Sequence, residues 1–354
     1  MISRFSTNAL KTLEPYKAAS QDIWQKESKT ILKLDWNEGV IDPPEIVNSA
    51  FKEFLKNKMV KYYPNTFNDE LLESIAKFVS SKKSNISYFS GIDHLHEYIV
   101  RAFLEEGDKV SILHPTYDNF RAVCESASVQ VEKINFYPKP DIEITQNFKS
   151  KIVYFANPNN PTGDLIESEF IEKWLQKNPD TLFIVDEAYI DFSGGTSARL
   201  VSEYENILIC RTLSKAFCLA GIRFGYCIAC DDIINSINLI RNPKSVSMFA
   251  QIMANAALQN SQYVQDYVVE NNKAKELFRQ KILEKFPAVK LHGNHGNFQL
   301  VEFSNKQDSC DFIEYLKKEG VYIRNTHHLI PNSCRITIPI DQGLELILKL
   351  IDEF

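Results

Sequence analysis

The chain has 354 residues, 44% hydrophobic and 24% charged, a length and balance that suit a globular protein of two domains. A formal net charge of −6 excludes nucleic acid as a main partner, yet leaves room for a local cluster of arginines to hold a phosphate. The start, Met1-Ile2-Ser3-Arg4, lacks the apolar core of a signal peptide, and Arg211, Lys215 and Arg223 interrupt the stretch nearest to a membrane span, so no membrane is expected.

The first forty or so residues hold no complete fold unit. They are expected to pack on a second domain or on a partner subunit. Ser90-Gly91-Ile92-Asp93-His94 then precedes a helical pattern over 95–105. Continuous apolar runs follow at 109–113, 152–156, 182–185 and 207–210, separated by helical patterns such as 167–176. Such runs belong to strands covered on both faces by helices, so the middle of the chain reads as an α/β sheet, mainly parallel. A long helix is predicted over 261–286, with Tyr263, Tyr267, Ala274, Leu277, Phe278 and Ile282 as its core-facing stripe. Half-buried strands alternate at 298–303 and 334–338, and a helix over 343–354 closes the chain. This pattern predicts a large domain over 45–260 and a smaller α+β domain built from 1–44 and 261–354. Seven scattered cysteines, an odd number, fit a reducing cytoplasm. Cys227 and Cys230 lack the second pair or the histidines of a zinc site, so buried side chains are expected there and no metal.

Chemistry-bearing residues collect at the predicted strand ends, where ligands bind in open α/β sheets. Asn157-Pro158-Asn159-Asn160-Pro161-Thr162-Gly163 is a turn by composition, but its prolines also stiffen a loop that presents Asn160. Asp186-Glu187-Ala188-Tyr189 ends the next strand, where a carboxylate can serve as an exposed cap or as a buried partner. Gly91 ahead of a helix offers free amides, which attract phosphate. Arg211-Thr212-Leu213-Ser214-Lys215 ends the fourth strand, with Arg223 following. A lysine there can condense with an aldehyde while its hydroxyl and guanidinium neighbours hold a phosphate. Pyridoxal 5′-phosphate carries both groups on one ring.

The asparagine loop, the Asp186–Tyr189 segment and Thr212-Leu213-Ser214-Lys215-Ala216-Phe217-Cys218-Leu219-Ala220-Gly221-Ile222-Arg223-Phe224-Gly225-Tyr226, in that order, resemble the fold-type I aminotransferases. The resemblance is closest to the histidinol-phosphate aminotransferase branch and covers about 34–350. It implies a fold-type I pyridoxal-phosphate-dependent transferase: a large domain with a mainly parallel sheet plus a smaller α+β domain. It further implies that Lys215 bonds the cofactor and that Asp186 pairs with its ring nitrogen. Asn160 and Tyr189 would bind the ring's phenolic oxygen, and Tyr117 would stack on the ring. Ser214, Arg223, Thr212 and the helix start at Gly91, Ile92 and Asp93 would hold the cofactor phosphate. Tyr63 would reach the cofactor phosphate of a neighbouring subunit, which implies a homodimer. Tyr16, Arg324 and Arg335 would bind the substrate's acidic group, two planar guanidiniums suiting a carboxylate or phosphate.

The activity implied is amino-group transfer between an amino donor and a keto acceptor, such as glutamate and 2-oxoglutarate, and a small phosphorylated amine or ketone. A phospho-amino-acid decarboxylase of the same fold is the alternative. Departures from the family pattern fall on the substrate side, at Trp36-Asn37-Glu38-Gly39-Val40, Gly91-Ile92-Asp93-His94 and Pro243-Lys244-Ser245-Val246-Ser247.

Overall fold

The computed structural model describes residues 3–16, 32–136 and 147–354. Its strands are β1 Leu32–Leu34, β2 Ile86–Phe89, β3 Lys109–His114, β4 Gln130–Asn135, β5 Ile152–Ala156, β6 Leu182–Asp186, β7 Ile207–Thr212, β8 Gly225–Ala229, β9 Lys290–Leu291, β10 Phe298–Glu302, β11 Val321–Asn325 and β12 Ser333–Thr337. Its helices are α1 Asn8–Thr12, α2 Glu45–Lys56, α3 Asp69–Val79, α4 Ile92–Phe103, α5 Asn119–Ser126, α6 Ser168–Lys177, α7 Asp231–Ile240, α8 Met248–Gln259, α9 Gln262–Lys285, α10 Lys306–Lys318 and α11 Asp341–Glu353. Among the described residues no helix is long and apolar enough to cross a membrane.

The continuous apolar runs form the centre of a seven-stranded sheet in the order β2-β8-β7-β6-β5-β3-β4. Neighbours from β7 to β4 are parallel, and only β8 runs against the rest. Successive side chains of a strand face opposite sides, and here both sides are covered. Val153, Phe155, Phe183, Val185, Ile207 and Ile209 enter one core with Trp174 of α6. Ile152, Tyr154, Ile184, Leu208 and Cys210 enter the other with Leu95 and Ile99 of α4.

A five-stranded sheet, β1-β11-β12-β10-β9, carries a third core. The early segment joins it through β1, which pairs in parallel with β11. The long helix spans both bodies, placing Val264 and Tyr267 in the first core and Ala274, Phe278 and Ile282 in the third. Leu277 leaves the stripe read from sequence and is 51% exposed. Its place is taken by Lys275 and Asn271, both fully enclosed. Lys275 Nζ donates to the carbonyls of Asn294 (2.7 Å) and Gly296 (2.5 Å), which fastens that loop to α9.

Candidate active site

The carboxyl ends of β5, β6 and β7, the start of α4 and the β11–β12 hairpin surround a cavity of about 660 Å³. Tyr16, Ile92, Asp93, Tyr117, Asn160, Asp186, Tyr189, Thr212, Ser214, Lys215, Arg223, Arg324 and Arg335 all line it. Gly91 caps α4 directly behind Ile92. Tyr63 lies outside this chain's own cavity, 77% exposed, with the Lys244 ammonium 4.5 Å above its ring.

Asp186, the last residue of β6, lies at the cavity floor and is 4% exposed. Its Oδ1 accepts from the Ala188 amide (3.0 Å) and its Oδ2 from the Tyr154 hydroxyl (2.9 Å). Burial pushes its carboxyl up to about 6, although both hydrogen bonds oppose the rise. Lys215 follows β7; its Nζ donates to the Trp36 carbonyl (2.8 Å) and stands 5.6 Å from the centre of the Tyr189 ring.

A polar cradle faces these two groups across the cavity. Thr212 Oγ1 sits within hydrogen-bonding distance of Ser214 Oγ (2.9 Å) and of the Phe224 carbonyl (3.0 Å). Asp93 fixes two neighbours: Oδ1 accepts from the Tyr117 hydroxyl (2.9 Å), and Oδ2 pairs with Arg223 Nη2 (3.2 Å). Gly91, at φ +86°, comes so near Arg223 that an added Cβ would stand 2.7 Å from Nη2. Gly225 of β8 likewise lets the helix start close in, since a Cβ there would lie 2.8 Å from the Ile92 amide nitrogen. The first amides of α4 are left without intrahelical partners and point, with the helix dipole, at this cradle.

The opposite wall is cationic. Arg324 and Arg335 are direct cross-strand partners of the β11–β12 pair. Arg335 is 8% exposed; Nη1 donates to Asn160 Oδ1 (2.6 Å) and Nη2 to the Asp35 carbonyl (2.7 Å). Its Nε is enclosed without a hydrogen-bond partner, and among the described residues Arg335 forms no ion pair. Tyr16 meets Tyr117 edge-on, with ring centroids 5.6 Å apart. Cys334, Ile336 and Ile338 point into the third core, which leaves Arg335 to the cavity, as strand alternation requires.

The asparagine loop divides its labour. Asn157 clamps the backbone of Ile166 on both sides (2.9 and 2.8 Å), Asn159 donates to the Pro115 carbonyl (3.0 Å), and Asn160 faces the cavity. Two residues of the site escaped the sequence reading. Asn37 is fully buried at φ 56° and donates from Nδ2 to the Tyr189 hydroxyl oxygen (3.0 Å), while its Oδ1 accepts from Thr337 (3.1 Å). It lies in Trp36-Asn37-Glu38, where only the departure from the family pattern drew notice. Tyr154 lies in an apolar strand and read as core.

The family profile "Aminotransferase class I and II" matches residues 29–349. The chain belongs to this family. A dihydroxyacetone phosphate transaminase of Campylobacter jejuni is 39% identical over 98% of this chain and 96% of its own. A histidinol-phosphate aminotransferase of a Thermoanaerobacter species is 32% identical over 91% of this chain and 92% of its own. Among solved structures, the histidinol-phosphate aminotransferase of Sinorhizobium meliloti, in complex with pyridoxal 5′-phosphate, superposes with a TM-score of 0.88. It is 22% identical and covers 100% of this chain and 99% of its own. That likeness establishes the fold-type I architecture for this aminotransferase.

Proposed function

We propose that this aminotransferase uses pyridoxal 5′-phosphate to move an amino group between a donor such as glutamate and a small phosphorylated ketone, dihydroxyacetone phosphate being the nearest model. The donor set fits the cofactor. Ser214, Thr212, Arg223 and the α4 amides suit its phosphate. Asp186, buried without an ion-pair partner among the described residues, suits a protonated ring nitrogen. Tyr117 suits the ring face. Tyr189 suits the phenolic oxygen, because a phenol that accepts from Asn37 still has its proton to donate. Asn160 offers an amide NH₂ on the side away from Arg335.

When bound, the cofactor supplies an aldehyde that takes up the amino group and a ring that draws electrons from the reacting carbon. Lys215 would hold the cofactor covalently at rest. Its amine, once freed, would take the proton from the substrate carbon and deliver it to the carbon that bore the cofactor's aldehyde, acting as base and then as acid. Asp186 would keep the ring nitrogen protonated while negative charge develops.

The observation that carries the substrate reading is the cross-strand pair Arg324 and Arg335. Like charges directly opposite on a sheet repel, and a buried guanidinium without a carboxylate is costly. An anion between them relieves both. A phosphate and a glutamate carboxylate are alternative anions for one site, which suits a reaction whose two substrates bind in turn.

The C. jejuni relative supports a three-carbon phosphate over a larger one. We also read 45–260 as the cofactor-binding domain, with 1–44 and 261–354 as the small domain. The chain is proposed to act as a cytoplasmic homodimer. The exposed Val60, Tyr62, Tyr63 and Phe67 support a partner surface, and the odd cysteine count supports a reducing compartment.

The test is a half-reaction screen on the cofactor-loaded enzyme with glutamate or histidinol phosphate as amino donor, then dihydroxyacetone phosphate or unphosphorylated dihydroxyacetone as acceptor, with sedimentation run on the same sample. The reading predicts stoichiometric amino transfer to the phosphorylated ketone and a loss of kcat/KM on the order of a hundredfold or more without the phosphate. It predicts a particle of twice the chain mass. Equal rates with the unphosphorylated ketone would contradict the phosphate reading. Carbon dioxide release from phosphothreonine without a keto acceptor would favour the decarboxylase, and a monomer would remove the shared site.

A further inference from the structure

Tyr154 has no assigned role, yet among the described residues it is the one side chain that donates to Asp186. Its ring is fully enclosed. Phe120 stacks on one face (4.6 Å, 20°), and His96 meets it edge-on (5.5 Å, 89°). His96 is itself pinned, Nδ1 lying 3.3 Å from Asn119 Nδ2. With the ring held this way, its hydroxyl lies 2.9 Å from the carboxylate that ends β6. Register agrees: Ala156 is the cross-strand neighbour of Asp186, and Tyr154 lies two residues back on the same face.

We propose that Tyr154 is a positioning residue for amino transfer, whose hydroxyl locks the Asp186 carboxylate in the one rotamer that presents a free lone pair to the cofactor's ring nitrogen. This rests on the reading of Asp186 given above. With Ala188 holding Oδ1 and Tyr154 holding Oδ2, the carboxylate plane is fixed by two donors. Each oxygen keeps a further lone pair for the cavity. Without the hydroxyl, Oδ2 would be a buried acceptor with no partner, and the charged form would lose a donor.

Other groups face Asp186 from the elements around it. Cys210 of β7 is its register partner, Tyr117 lies beyond β3, Asp93 lies on α4, and Lys215 follows β7. Burial holds the Cys210 thiol and the Tyr117 phenol well above their ordinary pKa values, and holds His96 down at about 4, so these three stay neutral between pH 5 and 8. Asp93 and Lys215 are common to wild type and variant.

The experiment compares wild type, Tyr154→Phe and Phe120→Leu. Tyr154→Phe keeps the ring and both aromatic contacts and removes only the hydroxyl. In cofactor-free protein carrying ¹³C-labelled aspartate, the Asp186 carboxyl midpoint should rise by about one unit or more in Tyr154→Phe. It should move little in Phe120→Leu, which disturbs the stack and spares the hydrogen bond. In wild type, the Tyr154 ¹³Cζ shift should titrate with that same midpoint, a readout that needs no variant to fold. In the loaded enzyme the acid limb of kcat should move to higher pH and kcat at neutral pH should fall about tenfold, with KM within about twofold. An unmoved midpoint in Tyr154→Phe, an equal rise in Phe120→Leu, or a Tyr154 resonance blind to the titration would each overturn the proposal. The cofactor-free measurements stand whether or not the enzyme transaminates, so their failure is distinct from failure of the functional reading.

Discussion

A buried carboxylate without a cationic partner works against the folded state, and among the described residues Asp186 has no ion-pair partner. Its pKa is about 6 in the fold, against about 3.9 in an unfolded chain. The native state therefore holds more protons between those values, and stability falls as pH rises through that window. The loss is at most about 3 kcal/mol, at 1.36 kcal/mol per unit. Cofactor-free Asp186→Asn should be more stable than wild type at pH 8, with the advantage gone at pH 4, while amino transfer is lost. Denaturant titrations at both pH values check this. A variant less stable than wild type at pH 8 would mean that the carboxylate is not strained. Bound cofactor should reverse the sign, because its ring nitrogen supplies the missing positive charge.

At the level of elements, the start of α4 depends on Gly91 and Gly225. A Cβ at position 91 would meet the Arg223 guanidinium, and φ +86° would add roughly 1–2 kcal/mol of backbone strain. Gly91→Ala should weaken cofactor binding by on the order of tenfold or more, by moving Arg223 and the helix amides together. Unchanged affinity in a fluorescence titration would show that this helix start does not hold the phosphate.

The strands could be read from sequence because runs such as Ile152–Ala156 are apolar on both faces. The helix after Gly91 was legible, although it begins at Ile92 and not at the predicted 95, because Asp93 and His94 look like loop. Leu277 misled because a 3.6-residue period allows several neighbouring stripes, and only packing against β10–β12 selects Ala274, Phe278 and Ile282. Asn37 and Tyr154 could not be read, since their partners, Tyr189 and Asp186, are 152 and 32 residues away. Local pattern carries no signal for such a pair. Lys215, Asp186 and Asn160 stood out because each lies at or just beyond the end of an apolar strand, where polar residues break the run.

Over the whole molecule, the cavity is lined by residues of both sheets. Helix α9 spans both, and residues 35–38 pass between them, with Asn37 bound to Tyr189 on one side and Thr337 on the other. Asn160 and Arg335 join across the same gap, and Gly163 packs against Gly293, where an added Cβ would lie 2.8 Å from a backbone oxygen. Arg324 and Arg335 on the small sheet and Lys215 beyond the large one thus face the same cavity from different sheets.

Lys215 is proposed as the residue that bonds the cofactor. Borohydride reduction of the protein loaded with pyridoxal 5′-phosphate, followed by peptide mass spectrometry, tests it most directly. The account predicts one pyridoxyl adduct, on the peptide containing Ser214 and Lys215, and none in Lys215→Ala. An adduct on another lysine, or a protein that takes up no label at all, would contradict it.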